Sequence, residues 1–80
     1  MGNSQDLKSL QVKRANKENF ELLSKKTMPN PKMIDDHELH INTHTCYMLG
    51  DEYEKLVEKN PKLEEIILNH IKLHKDIINV

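Results

Sequence analysis

Two stretches of this chain share the pattern H-I-x-x-H: His40-Ile41-Asn42-Thr43-His44 and His70-Ile71-Lys72-Leu73-His74. Residues four apart lie on one face of an α-helix, so each stretch predicts two imidazoles stacked on a single helical stripe. At about 100° per residue, His70 and His74 fall within about 20° of Leu63, in the middle of the apolar stripe that also carries Ile66, Ile67 and Ile77. On the earlier segment, His44 and Met48 fall within about 20° of His37, with His40, Ile41 and Tyr47 beside them. Two such pairs on facing stripes can meet if the segments pack antiparallel as a hairpin. The fold class expected is therefore all-α, an antiparallel helical hairpin.

Start and stop signals set the hairpin's limits. The prolines of Thr27-Met28-Pro29-Asn30-Pro31-Lys32 break any helix. Asp35 with Glu38 three residues on has capping-box spacing, so a helix is expected over about 36–49, with Gly50 as a left-handed residue after its end. Asp51 with Glu54 predicts a short helix over 51–59. Asn60 as cap and Pro61 in the first turn predict the last helix over 61–79. Before the prolines, residues 4–26 are good helix formers. Their apolar members (Leu7, Leu10, Val12, Ala15, Phe20, Leu22 and Leu23) scatter around the cylinder, which predicts a helical arm needing a neighbour. The organisation expected is a basic helical arm and proline linker over 1–32, then a His-rich hairpin over 33–80.

Charge follows the same division. Residues 1–32 carry a net +4 and residues 33–80 a net −5. Lys13, Arg14 and Lys17 are candidate contacts for nucleic acid or an acidic partner, although no aromatic residues alternate with them and no nucleic-acid module signature is present. In 80 residues with a single cysteine, Cys46, no internal disulfide can staple a marginal core. A lone thiol, no secretory leader and no long apolar run predict an intracellular protein, neither secreted nor membrane-spanning. The opening Met1-Gly2 begins like a myristoylation signal but has Asp6 where that signal needs Ser or Thr.

The histidine seam admits two chemistries. The leading expectation is structural: His37, His40, His44, His70 and His74, with Tyr47, hydrogen-bond one another and fill the seam, and no metal or cofactor is held. The alternative is a zinc site drawn from the same five histidines, with Asp36 or Glu38 orienting a ligand ring. Hydrolysis is not expected, because Ile71, Lys72 and Leu73 leave no glutamate between the second pair to act as a base. Cys46 lies opposite the seam and has no activating base, and no phosphate-cradling loop is present. The chain does not read as an enzyme. Met28, Met33 and Met48 are expected to pack.

The order Arg14-Ala15-Asn16-Lys17-Glu18-Asn19, Pro29-Asn30-Pro31, Asp35-Asp36-His37-Glu38-Leu39-His40-Ile41 with His44, Asp51-Glu52-Tyr53-Glu54, then His70-Ile71 with His74 resembles the C-terminal segment of tailed-phage portal proteins and related phage virion structural proteins. The resemblance spans about residues 14–78. It implies a non-catalytic role in virion assembly through self-association or contacts with other virion subunits, in the virion or the host cytoplasm, with the five histidines as a structural signature. A portal subunit is several times longer, so the chain is either a fragment or a free-standing relative of that hairpin. A further alternative is a small phage regulator that binds a host protein or nucleic acid.

Overall fold

A computed structural model describes residues 6–79. The described chain is all-α, with four helices: α1 (Leu7–Lys25), α2 (His37–Met48), α3 (Asp51–Lys59) and α4 (Lys62–Ile78). The expected start of the first helix at Ser4 and the Met1-Gly2 signal lie outside the described residues.

Local chemistry accounts for each boundary. The Asp6 side chain accepts the Lys8 N–H and caps α1. Lys26, at φ 58°, ends α1 in the left-handed region, its N–H returned to the Leu22 carbonyl. The linker then turns on Asp35, whose buried carboxylate accepts the Lys32 N–H at 2.8 Å and pairs with Arg14 Nε at 2.8 Å. Capping of α2 falls one residue later than the sequence spacing suggests. Asp36, not Asp35, accepts the Leu39 N–H, because Asp35 is committed to the linker.

Two further expectations are corrected. Gly50 is not left-handed: Leu49 stays right-handed and Gly50, at φ −88°, is the extended residue that opens α3. The Asn60 side chain does not cap α4. Its backbone carbonyl accepts the Leu63 N–H instead, and Pro61 occupies the cap position.

The interface between α2 and α4 has two zones. His37 meets His74 and His44 meets His70, so early residues of α2 oppose late residues of α4 and the pair runs antiparallel. Toward the other end lies the apolar core: Leu22, Tyr53, Leu63, Ile67 and Ile71, with Ile41, Tyr47, Met48 and Leu56 packed against it. Burying such side chains contributes on the order of 1.5–3 kcal/mol each. Leu22 comes from α1, so the first helix packs on the hairpin and shares its core. Ile34 and Met33 are exposed in the linker turn and take no part in the core. No helix among the described residues is long and apolar enough to cross a membrane.

Candidate metal centre

α1 turns a mixed stripe inward. Ala15, Glu18, Asn19 and Leu22 are its buried residues, at spacings of three and four along one face. The two in the middle are polar, and they reach the imidazole zone of α2 and α4.

Glu18 is the centre of that zone. Its Oε1 lies 3.1 Å from His70 Nε2, 3.2 Å from His44 Nε2 and 3.5 Å from His40 Nδ1. Only His70 is aligned to donate a hydrogen bond to it. His40 Nδ1 and His44 Nε2 are fully buried and have no hydrogen-bond partner. The outer nitrogens of these rings are held: His40 Nε2 lies 2.9 Å from Gln11 Oε1, and His44 Nδ1 lies 2.7 Å from Asn19 Oδ1. His74 links the remaining pair, with Nε2 at 3.1 Å from His70 Nε2 and Nδ1 at 2.7 Å from His37 Nδ1.

The electrostatics leave a charge to be balanced. Burial pushes the Glu18 carboxyl up, and the hydrogen bond and charge of His70 oppose it; His40 and His44 add to that lowering only as donors, a role their nitrogens do not fill in this geometry. Burial pushes His44 down, with Glu18 opposing. Burial, with the neighbouring rings of His70, His40, His37 and His44, pushes His74 down to about 4. At neutral pH an ionised carboxylate therefore sits among rings of which at least these two are uncharged. A buried carboxylate with His70 as its one aligned donor is only partly compensated, and burying such a group is costly.

The residues fit a cation. Glu18, His40, His44 and His74, all buried, each offer one ligand atom, and these atoms lie within 4.8 Å of one another. A tetrahedral ion with bonds of about 2.0–2.2 Å places its ligands about 3.3–3.6 Å apart, close to the spacings of Glu18 from His40 and His44. The widest pair in the set must close by about an ångström. Imidazole nitrogen with one carboxylate suits zinc and its neighbours in the transition series and does not suit magnesium or calcium, which prefer oxygen. A cleft lined by Arg14, Lys17, Glu18, Glu21, Pro29 and Lys32 opens beside the carboxylate.

Five expected seam residues divide accordingly. His40, His44 and His74 join the four-residue group, His70 bridges Glu18 and His74, and His37 contacts only the outer nitrogen of His74. Tyr47 does not belong to the seam. Its ring packs on Tyr53 at 5.5 Å in the apolar zone, and its hydroxyl has no partner. Asp36 and Glu38 do not orient a ligand ring, since Asp36 caps α2 and Glu38 is exposed. Arg14 is tied to Asp35, which leaves Lys13 and Lys17 as the exposed members of the expected basic trio. Cys46 is exposed, away from the cluster. Glu18, Asn19 and Gln11 were not expected from the sequence. The signal was the spacing of Gln11, Ala15, Glu18, Asn19 and Leu22, which forms one stripe once polar residues are counted as inward-facing.

No family model matches the chain, and neither a curated protein nor a solved structure matches it.

Proposed function

We propose that this protein is a non-catalytic metal-binding helical module, in which Glu18, His40, His44 and His74 hold one divalent transition ion of the zinc class. The observation that carries this reading is a buried carboxylate oxygen faced by two buried imidazole nitrogens that make no hydrogen bond with it. Glu18 stands on α1 and the three histidines on α2 and α4, so the ion ties the first helix to the hairpin. This reading reverses the sequence-based preference for a purely structural seam. Elemental analysis tests it on full-length protein without a His tag, loaded with zinc and dialysed. One zinc per chain is expected, and its absence overturns the reading.

A second reading concerns what the module is for. Leu7, Leu10 and Ile34, all exposed, line one shallow cleft. A contiguous apolar patch of this kind supports protein contacts, in keeping with the virion-assembly role that the resemblance to portal segments implies. Light scattering at high concentration tests self-association; a strictly monomeric chain counts against it. The two readings are compatible, one giving the module's lock and the other its use.

A further inference from the structure

Gln11 is held by groups that fix which way its amide faces. Its Nε2 donates to the Ile34 carbonyl at 2.9 Å, and its Oε1 accepts the Asp36 backbone N–H at 3.0 Å. A backbone carbonyl only accepts and a backbone amide only donates, so the side chain cannot be turned over without losing both bonds. The same Oε1 lies 2.9 Å from His40 Nε2, which must therefore carry a proton and donate. In a neutral ring that leaves Nδ1 with a bare lone pair, and Nδ1 is the buried, partnerless atom 3.5 Å from Glu18 Oε1.

Asn19 makes a comparable contact on His44, its orientation set by a neighbouring side-chain amide where that of Gln11 is set by backbone groups. Its Nδ2 donates to Asn16 Oδ1 at 3.2 Å, and its Oδ1 lies 2.7 Å from His44 Nδ1. In that orientation the proton stands on Nδ1, and the bare atom is Nε2, 3.2 Å from the same carboxylate oxygen. Two lone pairs aimed at a carboxylate oxygen make a repulsive contact between acceptors. A cation placed among them turns each contact into a bond.

We propose that Gln11 and Asn19 are positioning residues that lock His40 as its Nε2–H tautomer and His44 as its Nδ1–H tautomer, presenting Nδ1 of one ring and Nε2 of the other to the ion. This rests on the metal-binding reading and adds the residues that decide which nitrogen binds. It also assigns α1 a larger share of the centre: one helix supplies the carboxylate ligand and both orienting amides, with spacings of four, three and one residue between Gln11, Ala15, Glu18 and Asn19.

Two measurements on the full chain test the assignment. Long-range proton–nitrogen NMR of ¹⁵N-histidine-labelled protein, without zinc and with it, reads the protonated nitrogen of each ring. His40 is expected to carry its proton on Nε2 and His44 on Nδ1 in both states. Zinc affinity, read by competition with a chromophoric chelator, is expected to fall about 10- to 100-fold in Gln11→Met and Asn19→Leu, the cost of losing an orienting partner. Asn19→Asp keeps an acceptor for His44 Nδ1 and is expected to restore the affinity. A proton on Nδ1 of His40 or only on Nε2 of His44 overturns the proposal, as do rings protonated at both nitrogens and unmoved by zinc. Unchanged zinc affinity in both Gln11→Met and Asn19→Leu overturns this assignment alone, whereas a wild-type chain that takes no zinc overturns the metal-binding reading beneath it as well. The NMR result needs no variant, so it decides even where a substitution prevents folding.

Discussion

Glu18 Oε1 lies 3.2 Å from His44 Nε2 in a fully buried setting, and no hydrogen bond joins them. Were the cluster held by ion pairs between Glu18 and charged imidazoles, neutralising the carboxylate would break them and cost about 3–5 kcal/mol. In a metal site the opposite holds without the ion, because the new amide can donate to a bare ring nitrogen. Glu18→Gln is therefore expected to leave metal-free stability within about 1 kcal/mol of wild type, one ordinary hydrogen bond's worth. Its zinc affinity is expected to fall by more than about 100-fold, beyond the cost of losing an orienting residue. Urea unfolding and chelator competition check the two halves.

Zinc should stabilise the folded chain by mass action. At free zinc about 100 times the dissociation constant the gain is about 2.7 kcal/mol, which raises Tm by roughly 10–20 °C in a domain of this size. Calorimetry with zinc, then with a chelator added, checks the rise and its reversal. Magnesium and calcium are expected to leave Tm unchanged, since the centre offers three nitrogens and one carboxylate.

The same rings make the metal-free protein acid-sensitive. His74 has its folded pKa depressed to about 4 from an ordinary value of 6.5, and His44 is depressed in the same direction. The unfolded chain therefore binds protons first. The His74 contribution to stability is fully present above about pH 6.5 and is lost as pH falls toward 4, at up to about 1.4 kcal/mol per pH unit, and His44 adds a loss of the same sign below about pH 6.5. Urea midpoints that stay flat between pH 8 and pH 5 would contradict this.

How much of this was legible in the sequence follows from which residues mark a buried face. His40, His44, His70 and His74 stood out because they replace leucines on otherwise apolar stripes, so the antiparallel seam could be placed in advance. Glu18 and Asn19 could not, because a search for apolar periodicity treats an inward polar residue as a solvent-facing one. α1 looked featureless for that reason: the middle of its buried face, Glu18 and Asn19, is complementary to imidazoles, and only Leu22 reaches the hydrocarbon core. Asp35 misled in a related way. Its spacing to Glu38 is that of a cap, but a buried carboxylate tied to Arg14 and the Lys32 amide has no oxygen to spare.

Ile67 is fully buried in the apolar zone, whereas Leu49 is 77% exposed at the end of α2. Ile67→Ala is expected to cost about 2–5 kcal/mol through lost burial and the cavity left behind. Leu49→Ala should stay within about 0.5 kcal/mol of wild type. Chemical denaturation of the two variants side by side checks the division of the core.

The two adjacent aspartates before α2 should separate cleanly. Asp36→Ala removes the acceptor for the Leu39 N–H and is expected to cost about 1 kcal/mol. Asp35→Ala strips both Arg14 and the Lys32 amide of their partner and is expected to cost about 1–3 kcal/mol. A larger loss at Asp36 than at Asp35 would contradict the assignment of the cap.

A centre built from Glu18, His40, His44 and His74 joins points about 56 residues apart at its extremes. A covalent link across a loop of that length restricts the unfolded chain by about 4 kcal/mol in the chain-entropy treatment. This sequence has a single cysteine and cannot make such a link within itself. Coordination would serve as its cross-link, closing two long loops at one point and opening again under a chelator. The chain's topology would then be set by the metal supply of its surroundings, where a secreted mini-protein has its topology set by an oxidant.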